Sequence, residues 1–256
     1  MRIVAHRGAS GSAPENTMAA INRAWDMGAD GVEVDVHLTK DNVPVVIHDP
    51  DTKRVAGQKL VIKKSTYAEL CELDVGSWKG PEFAGERIPR LDEVLASMPT
   101  RKNFFVEIKD VSGHKLARAL EPIFRDNPQF VTERQVYLMS FFPDALWPMA
   151  ARFPDLTLLL LVDKLNRLPR HLPDKLPHDS LPVHGLGISH KLKLDDQRRE
   201  QLLRAGAIMN VWTVNEPEEL EKWESAGFDF LTTDRPELFI GQHPAGPVVL
   251  PNGHNA

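Results

Sequence analysis

The feature that most constrains the fold is a regular alternation of short β-rich segments with amphipathic helical segments. Such alternation predicts a parallel sheet, because each helix can cover the sheet while the chain returns to start the next strand. The predicted strands are residues 2–6, 31–38, 44–48, 103–109, 135–141, 156–162, 184–189, 208–214 and 228–232. Apolar residues fall at helical spacing in residues 15–27, 114–125, 143–152, 194–205 and 217–226.

Two architectures fit this pattern, a closed (β/α) barrel and an open doubly wound sheet. The open sheet is disfavoured because no Gly-x-Gly-x-x-Gly fingerprint follows the first strand. About eight parallel strands, with residues 44–48 as a short antiparallel partner, favour the barrel. We therefore predict an α/β fold, a TIM (β/α)8 barrel with a small insertion after the second strand. We expect one domain over residues 1–240, with the insertion at about 50–102 and a C-terminal tail over 241–256.

Composition excludes several classes of function. The 31 lysines and arginines do not outnumber the 36 acidic residues, so general nucleic-acid binding is disfavoured. The one cysteine, Cys71, can form neither an intrachain disulfide nor a thiolate cluster for a metal. The amino terminus lacks the apolar run of a secretory signal, and the longest aliphatic run is far shorter than the roughly 20 residues of a membrane span. We expect a cytoplasmic protein without stable membrane insertion.

Carboxylates occupy unusual positions on two predicted strands. Glu33 and Asp35 share one face of the second strand, and Glu107 shares a face with Lys109 in NFFVEIK. In a sheet covered on both faces, adjacent carboxylates repel each other unless a cation or a shared proton relieves them. The three carboxylates form a hard oxygen set suited to Mg²⁺ or Ca²⁺, which leaves Lys109 to meet an anion. The alternatives are a strand end in water and a simple ion pair between Glu107 and Lys109.

Two histidines stand at the ends of predicted strands. His6 is followed by Arg7 and by Gly8, which gives the turn freedom to fold closely over a ligand, and His48 ends residues 44–48. Arginine grips phosphate in a planar fork, and histidine titrates near neutral pH. Either histidine alone is commonly only a satisfied polar residue. Together with the carboxylates and cations, however, they predict phosphodiester cleavage, in which one imidazole deprotonates the nucleophile and the other protonates the departing alcohol.

Several segments resemble the glycerophosphodiester phosphodiesterase family, in order from His6 to about Asp234. They are HRGASGSAPENT, GADGVEVDVHLTKDNVPVVIHD, FFVEIK and VWTVN, with FAGERIPRLDEVL similar to the inserted segment of the family and FLTTDRPE similar to its closing strand and turn. The resemblance implies a TIM barrel in which His6 and His48 are the acid and base. The other implied residues are Arg7, Lys109 and Trp212 for phosphate or substrate, and Glu33, Asp35 and Glu107 for the metal.

The resemblance also implies a small-molecule substrate, a glycerophosphodiester such as glycerophosphocholine or glycerophosphoethanolamine. The products would be glycerol 3-phosphate and an alcohol, in lipid and glycerol metabolism. Residue identity leaves open whether water attacks directly or the neighbouring glycerol hydroxyl first closes a cyclic phosphate. Two other functions remain open, a lysophospholipase D-like phosphodiesterase and a non-catalytic phosphate-ligand-binding barrel. Glu15 and Asn16 of the PENT segment are interpreted as mainly structural residues at a helix start, with Asn16 or Thr17 near the cap.

Overall fold

The computed structural model describes residues 1–109, 113–132, 136–168, 174–178 and 182–241. Its strands are β1 (Arg2–His6), β2 (Gly31–Leu38), β3 (Pro44–Val46), β4 (Asn103–Ile108), β5 (Val136–Ser140), β6 (Thr157–Val162), β7 (Gly185–Ser189), β8 (Ile208–Trp212) and β9 (Phe230–Thr233). The parallel strands follow the order β1-β9-β8-β7-β6-β5-β4-β2, and pairing of β1 with β2 closes the barrel. The predicted TIM barrel is therefore confirmed, as is the antiparallel pairing of β3 with the end of β2.

Helices connect most of the strands on the outside of the barrel. They are α1 (Met18–Asp26), α2 (Lys53–Ala56), α3 (Tyr67–Leu70), α4 (Leu91–Ala96), α5 (Gly113–Asp126), α6 (Gln129–Thr132), α7 (Pro143–Arg152), α8 (Asp196–Arg204) and α9 (Leu220–Ser225). Between β6 and β7 the described residues contain one 3₁₀ turn, Leu165–Arg167. Among the helices of the described ranges, none has both the length and the apolar character that a membrane span requires.

Element ends differ from the prediction where local chemistry sets them. The first helix begins at Met18 and not at residue 15, because the Thr17 side chain accepts a hydrogen bond from the amide of Ala20 and caps the helix. The helix predicted over 217–226 opens with the 3₁₀ turn Pro217–Glu219 before α9. Beyond residue 241, the predicted tail lies outside the described residues.

Large apolar side chains fill the barrel interior below its carboxyl-end mouth. They are Val4, Phe105, Tyr137, Met139, Leu159, Leu161, Ile208 and Phe230. The Phe105 and Tyr137 rings stack with their centroids 4.4 Å apart. Because side chains alternate along a strand, Phe105 shares its face with Glu107, two residues closer to the mouth. The interior therefore changes from an apolar floor to charged groups at the end where barrel enzymes carry their sites.

The insertion between β3 and β4 packs on a small apolar cluster of its own. This cluster comprises Val45, Ile47, Val55, Ile62, Leu70, Leu73, Val75 and Ile88. It includes residues of β3 and of the segment that follows it, so the insertion is anchored to the barrel beside the end of β2. Its first helix, α2, therefore lies close to His48, which follows β3 by two residues.

Candidate active site

The strand register brings the three predicted metal-binding acids together. His6 of β1 is paired with Glu33 of β2, and Asp35 of β2 is paired with Glu107 of β4. Paired residues on neighbouring strands present their side chains to the same face, here the barrel interior. One oxygen of each acid lies within 4.8 Å of the others. Glu33 is 1% exposed and Asp35 is 0% exposed, so the alternative of a strand end in water is wrong.

Asp35 is surrounded by cations. Its Oδ2 lies 3.1 Å from Nε of Arg7, and its Oδ1 lies 3.1 Å from Nζ of Lys109. The side-chain amide of Asn16 donates a hydrogen bond of 2.8 Å to Oδ2. Burial alone would raise the pKa of Asp35, but the charges of Arg7 and Lys109 outweigh burial and hold this pKa well below its usual value. Asp35 is therefore ionised. Asn16, interpreted from the sequence as a residue of the helix start, also stabilises this carboxylate through its hydrogen bond.

The ionised forms of Glu33 and Glu107 are less stable than the ionised form of Asp35. Burial, followed by repulsion from Asp35, raises the pKa of Glu33 well above its usual value and the pKa of Glu107 to about 7. Oε1 of Glu33 is buried and has no hydrogen-bond partner among the described residues. An unpartnered buried oxygen among three clustered carboxylates fits a bound cation. The all-oxygen set suits Mg²⁺ or Ca²⁺.

Lys109 does not stand apart from the acids as the sequence suggested. Its Nζ donates a 2.8 Å hydrogen bond to Oε1 of Glu107 and lies against Asp35. The ion pair between Glu107 and Lys109 that the sequence left open is thus present, although Lys109 also lines the cavity at the barrel mouth, here named the central cavity. Its ammonium group can therefore reach a bound anion while neutralising part of the acid cluster.

Both imidazoles are oriented by carboxylates. Nδ1 of His6 lies 2.6 Å from Oδ1 of Asp234, and Nδ1 of His48 lies 2.7 Å from Oδ1 of Asp49. A carboxylate accepts a hydrogen bond, so each contact places a proton on Nδ1 and leaves Nε2 as the ring nitrogen that can take up or release a proton. Burial lowers the pKa of His48, because it disfavours the charged imidazolium.

One cavity of about 200 Å³ joins these groups at the barrel mouth. Of the residues predicted for the site, His6, Arg7, Glu33, His48, Glu107, Lys109 and Trp212 line it, and Asp35 lies fully buried behind Arg7 and Lys109. Trp212 meets Phe141 edge to face, with ring centroids 5.4 Å apart. Its indole Nε1 has no hydrogen-bond partner among the described residues. One part of the cavity wall therefore carries charged side chains, and another part carries the aromatic rings of Phe141 and Trp212.

Gly8 is required by the packing of the turn after β1. Its φ is +79°, and a Cβ added there would lie 2.5 Å from the backbone carbon of Ala20. The glycine therefore lets the turn after β1 pack against α1, which a larger residue would push away. Close packing on the helix therefore requires glycine here, and the approach of this turn to a ligand stays a prediction.

Four charged residues near the site were missed by the sequence reasoning. Two of them had a signal in the sequence. Asp49 directly follows the site histidine His48, and Asp234 directly follows strand β9, where site residues of a barrel are expected. Glu15, expected to be structural, accepts a hydrogen bond of 2.8 Å from Nη1 of Arg7. Arg54 of α2 contacts both Asp49 and Glu15, and no motif in the insertion pointed to it.

The fold is a (β/α)8 barrel, and its mouth gathers imidazoles, carboxylates and cations around one cavity, the arrangement of a barrel enzyme. The model of the Glycerophosphoryl diester phosphodiesterase family matches residues 6–238. The chain belongs to this family, as the sequence resemblance indicated, and is an enzyme of the phosphodiesterase class. A glycerophosphodiester phosphodiesterase of Caldanaerobacter subterraneus subsp. tengcongensis is 36% identical over 239 residues, which cover 93% of this chain and 96% of the relative.

Solved structures agree with this assignment. A phosphodiesterase of Oleispira antarctica, in complex with the product sn-glycerol-3-phosphate, is 28% identical with a TM-score of 0.81, covering 93% of this chain and 95% of that one. A glycerophosphodiester phosphodiesterase of Thermotoga maritima is 28% identical with a TM-score of 0.74, covering 94% and 97%. These similarities extend over the barrel and are not confined to the site motifs.

We expect Mg²⁺ or Ca²⁺ to stabilise the protein more at about pH 8 than at about pH 5.5. Without metal, the pKa values of Glu33 and Glu107 lie above their unfolded values. Protonation therefore favours the folded protein at low pH, and this contribution is lost as the pH rises from about 4.3, the ordinary value, through about 7 for Glu107. A bound cation compensates the negative charge that Glu33 and Glu107 acquire when they lose their protons, so its stabilising effect grows as the pH rises.

Thermal unfolding with and without metal at both pH values measures this effect. The Glu107→Gln variant serves as the control, because it removes one of the titrating groups and should reduce the difference between the two conditions. An equal metal-induced shift at both pH values would contradict the assignment of the cation to these acids.

Proposed function

We propose that the chain hydrolyses glycerophosphodiesters, such as glycerophosphocholine or glycerophosphoethanolamine, to glycerol 3-phosphate and an alcohol. The observation that carries the proposal is one cavity lined by two carboxylate-held imidazoles, two cations and a cluster of acids. The relative from Oleispira antarctica, solved with sn-glycerol-3-phosphate as its product, supports this choice of substrate class. A binding protein would need no such pair of acid–base groups.

His6 and His48 are the proposed acid–base pair. One imidazole takes the proton from the nucleophile as its oxygen bonds to phosphorus, and the other gives a proton to the alcohol oxygen as its bond to phosphorus breaks. Their Nδ1 atoms are engaged by Asp234 and Asp49, so Nε2 is the atom that serves in each ring. The same pair serves an attacking water and a neighbouring glycerol hydroxyl that closes a cyclic phosphate.

Arg7 and Lys109 are proposed to orient the phosphoryl oxygens. Both side chains line the cavity, and their contacts with Asp35 fix their charged ends in place. The metal, Mg²⁺ or Ca²⁺, would be held by Glu33, Asp35 and Glu107 and would supply charge neutralisation at the phosphoryl group. This role requires ionised acids, which is consistent with the low pKa of Asp35.

Trp212 is proposed to position the glycerol part of the substrate. Its ring is held edge to face by Phe141, and the apolar residues Met139 and Leu161 line the same cavity. An aromatic face packs well against the carbon atoms of a small polyol, and the unpartnered Nε1 offers one hydrogen bond to an oxygen. The cytoplasmic location, the metabolic role and the absence of a nucleic-acid partner stay predictions.

Phosphorus NMR of the purified protein with a panel of substrates tests the proposal. The panel comprises glycerophosphocholine, glycerophosphoethanolamine and lysophosphatidylcholine, each with and without added Mg²⁺ or Ca²⁺. We expect the glycerol 3-phosphate signal to appear from the two glycerophosphodiesters, and only with metal. Faster conversion of the acylated lipid would favour the lysophospholipase D-like activity, and bound ligand without product over hours would favour a binding protein.

A further inference from the structure

We propose that Arg54 and Glu15 act together as a positioning bridge between the imidazole of His48 and the guanidinium of Arg7. The inference rests on the proposed roles of His48 and Arg7, and it gives the insertion a part in the reaction. Neither Arg54 nor Glu15 lines the central cavity, so both would act through the groups that they hold.

A continuous series of short contacts forms the bridge. On one side, Nε of Arg54 donates a 2.7 Å hydrogen bond to Asp49, whose other carboxylate oxygen lies 2.7 Å from Nδ1 of His48. On the other side, Nη1 and Nη2 of Arg54 each donate a 2.8 Å hydrogen bond to Glu15. Oε1 of Glu15 also accepts the 2.8 Å hydrogen bond from Nη1 of Arg7. The planar guanidinium of Arg54 thus sets the relative orientation of two carboxylates.

The charges of the bridge are complementary. Burial opposes ionisation of Asp49, but the hydrogen bonds from Arg54 and His48 outweigh it and hold the pKa of Asp49 at about 2. Burial likewise opposes ionisation of Glu15, whose pKa is nonetheless lowered by the contacts with Arg54 and Arg7. Each carboxylate therefore stays ionised around neutral pH and can hold its catalytic neighbour.

The bridge joins two parts of the chain that otherwise belong to different connections. Glu15 lies in the connection from β1 to α1, whereas Arg54 lies in α2 of the insertion, 39 residues further along. The side chain of Arg54 is 43% exposed, so solvent screens its ion pairs and limits their contribution to folding stability. We therefore expect its loss to disturb site geometry more than stability.

Arg54→Met tests the bridge, with Arg54→Lys and Arg90→Met as companions. We expect Arg54→Met to lower kcat about ten- to a hundredfold, the usual effect of losing a supporting contact, and to raise KM because Arg7 loses its support. Arg54→Lys should recover part of the loss, since lysine keeps the charge but not the planar fork. Arg90→Met removes a similarly exposed arginine from ion pairs elsewhere in the insertion and should leave kcat and KM unchanged.

Glu15→Gln and the double variant with Arg54→Met show whether the two residues act as one unit. If they do, the double variant loses little more activity than the worse single variant. Wild-type kcat and KM in Arg54→Met, or fully additive losses in the double variant, would overturn the proposal. Thermal unfolding of each variant separates a positioning effect from loss of the fold, and a large fall in the unfolding temperature of both Arg54 variants would count against it.

A readout independent of turnover separates this proposal from the proposed function. Nitrogen-15 NMR of the imidazoles reports the tautomer of His48, which the contact with Asp49 should fix with its proton on Nδ1. We expect a mixture of tautomers in Arg54→Met and the wild-type spectrum in Arg90→Met. If the wild-type protein turns over no glycerophosphodiester, the proposed function fails. Independently of that result, an unchanged His48 spectrum in Arg54→Met would overturn the bridge.

Discussion

Replacing His6 by alanine is expected to lower kcat by about 10²–10⁴-fold, the usual contribution of a general acid or base. The same change should leave divalent-metal affinity nearly unchanged, because Nε2 of His6 lies 3.9 Å from the nearest oxygen of Glu33 and its main contact is with Asp234. Steady-state kinetics on a glycerophosphodiester and titration calorimetry with Mg²⁺ or Ca²⁺ measure the two quantities separately.

His114→Ala provides a matched control for His6→Ala, because His114 is an exposed residue of α5 and does not line the central cavity. We expect this control to keep wild-type kcat. Loss of activity in His6→Ala that is accompanied by an equal loss of metal affinity would contradict the acid–base role, since the residue would then act through the metal site.

Exhaustive chelation is expected to reduce turnover by about a thousandfold or more, which corresponds to the several kcal/mol that a cation contributes at a phosphoryl oxygen. The physical reason is that Glu33, Asp35 and Glu107 would then place uncompensated negative charge or bound protons beside the substrate phosphate. Kinetics after removal of the chelator, with Mg²⁺ and Ca²⁺ added back separately, shows which ion restores activity.

Circular dichroism of the chelated protein controls for unfolding, and a folded but inactive protein is the expected state. Glu33→Gln gives an independent test without a chelator, because it removes one ligand charge while keeping the size of the side chain. Full activity after complete removal of metal would show that the acid cluster serves another purpose.

The predictable part of the site is the part that strand geometry dictates. Alternation along each strand predicted that Glu33 and Asp35 share a face of β2 and that Glu107 and Lys109 share a face at β4, before any register was known. Parallel strands end at a common edge, so His6 could be expected near these acids. The structure adds the pairing of Asp35 with Glu107, which no single strand could specify.

The unpredicted part depends on packing between distant segments. The contact of Asp234 with His6 spans 228 residues, and that of Arg54 with Glu15 spans 39, so local patterns contain no record of either. Helix ends were predictable only in part: the PENT segment indicated a cap at Asn16 or Thr17, and Thr17 is the cap, whereas the 3₁₀ turn before α9 was not expected. Asp234 and Glu15 lie in loops, and Arg54 lies in a short helix of the insertion, where conformation follows from tertiary contacts more than from periodicity.

Diffraction from crystals grown with Mn²⁺ and sn-glycerol 3-phosphate locates the cation and the phosphate in one experiment, because Mn²⁺ favours the same oxygen ligands as Mg²⁺ and scatters anomalously. We expect one anomalous peak among Glu33, Asp35 and Glu107, with the phosphate beside it and within reach of the imidazoles of His6 and His48. A peak elsewhere, or a phosphate bound away from both imidazoles, would show that these residues do not form one metal-dependent phosphodiesterase site.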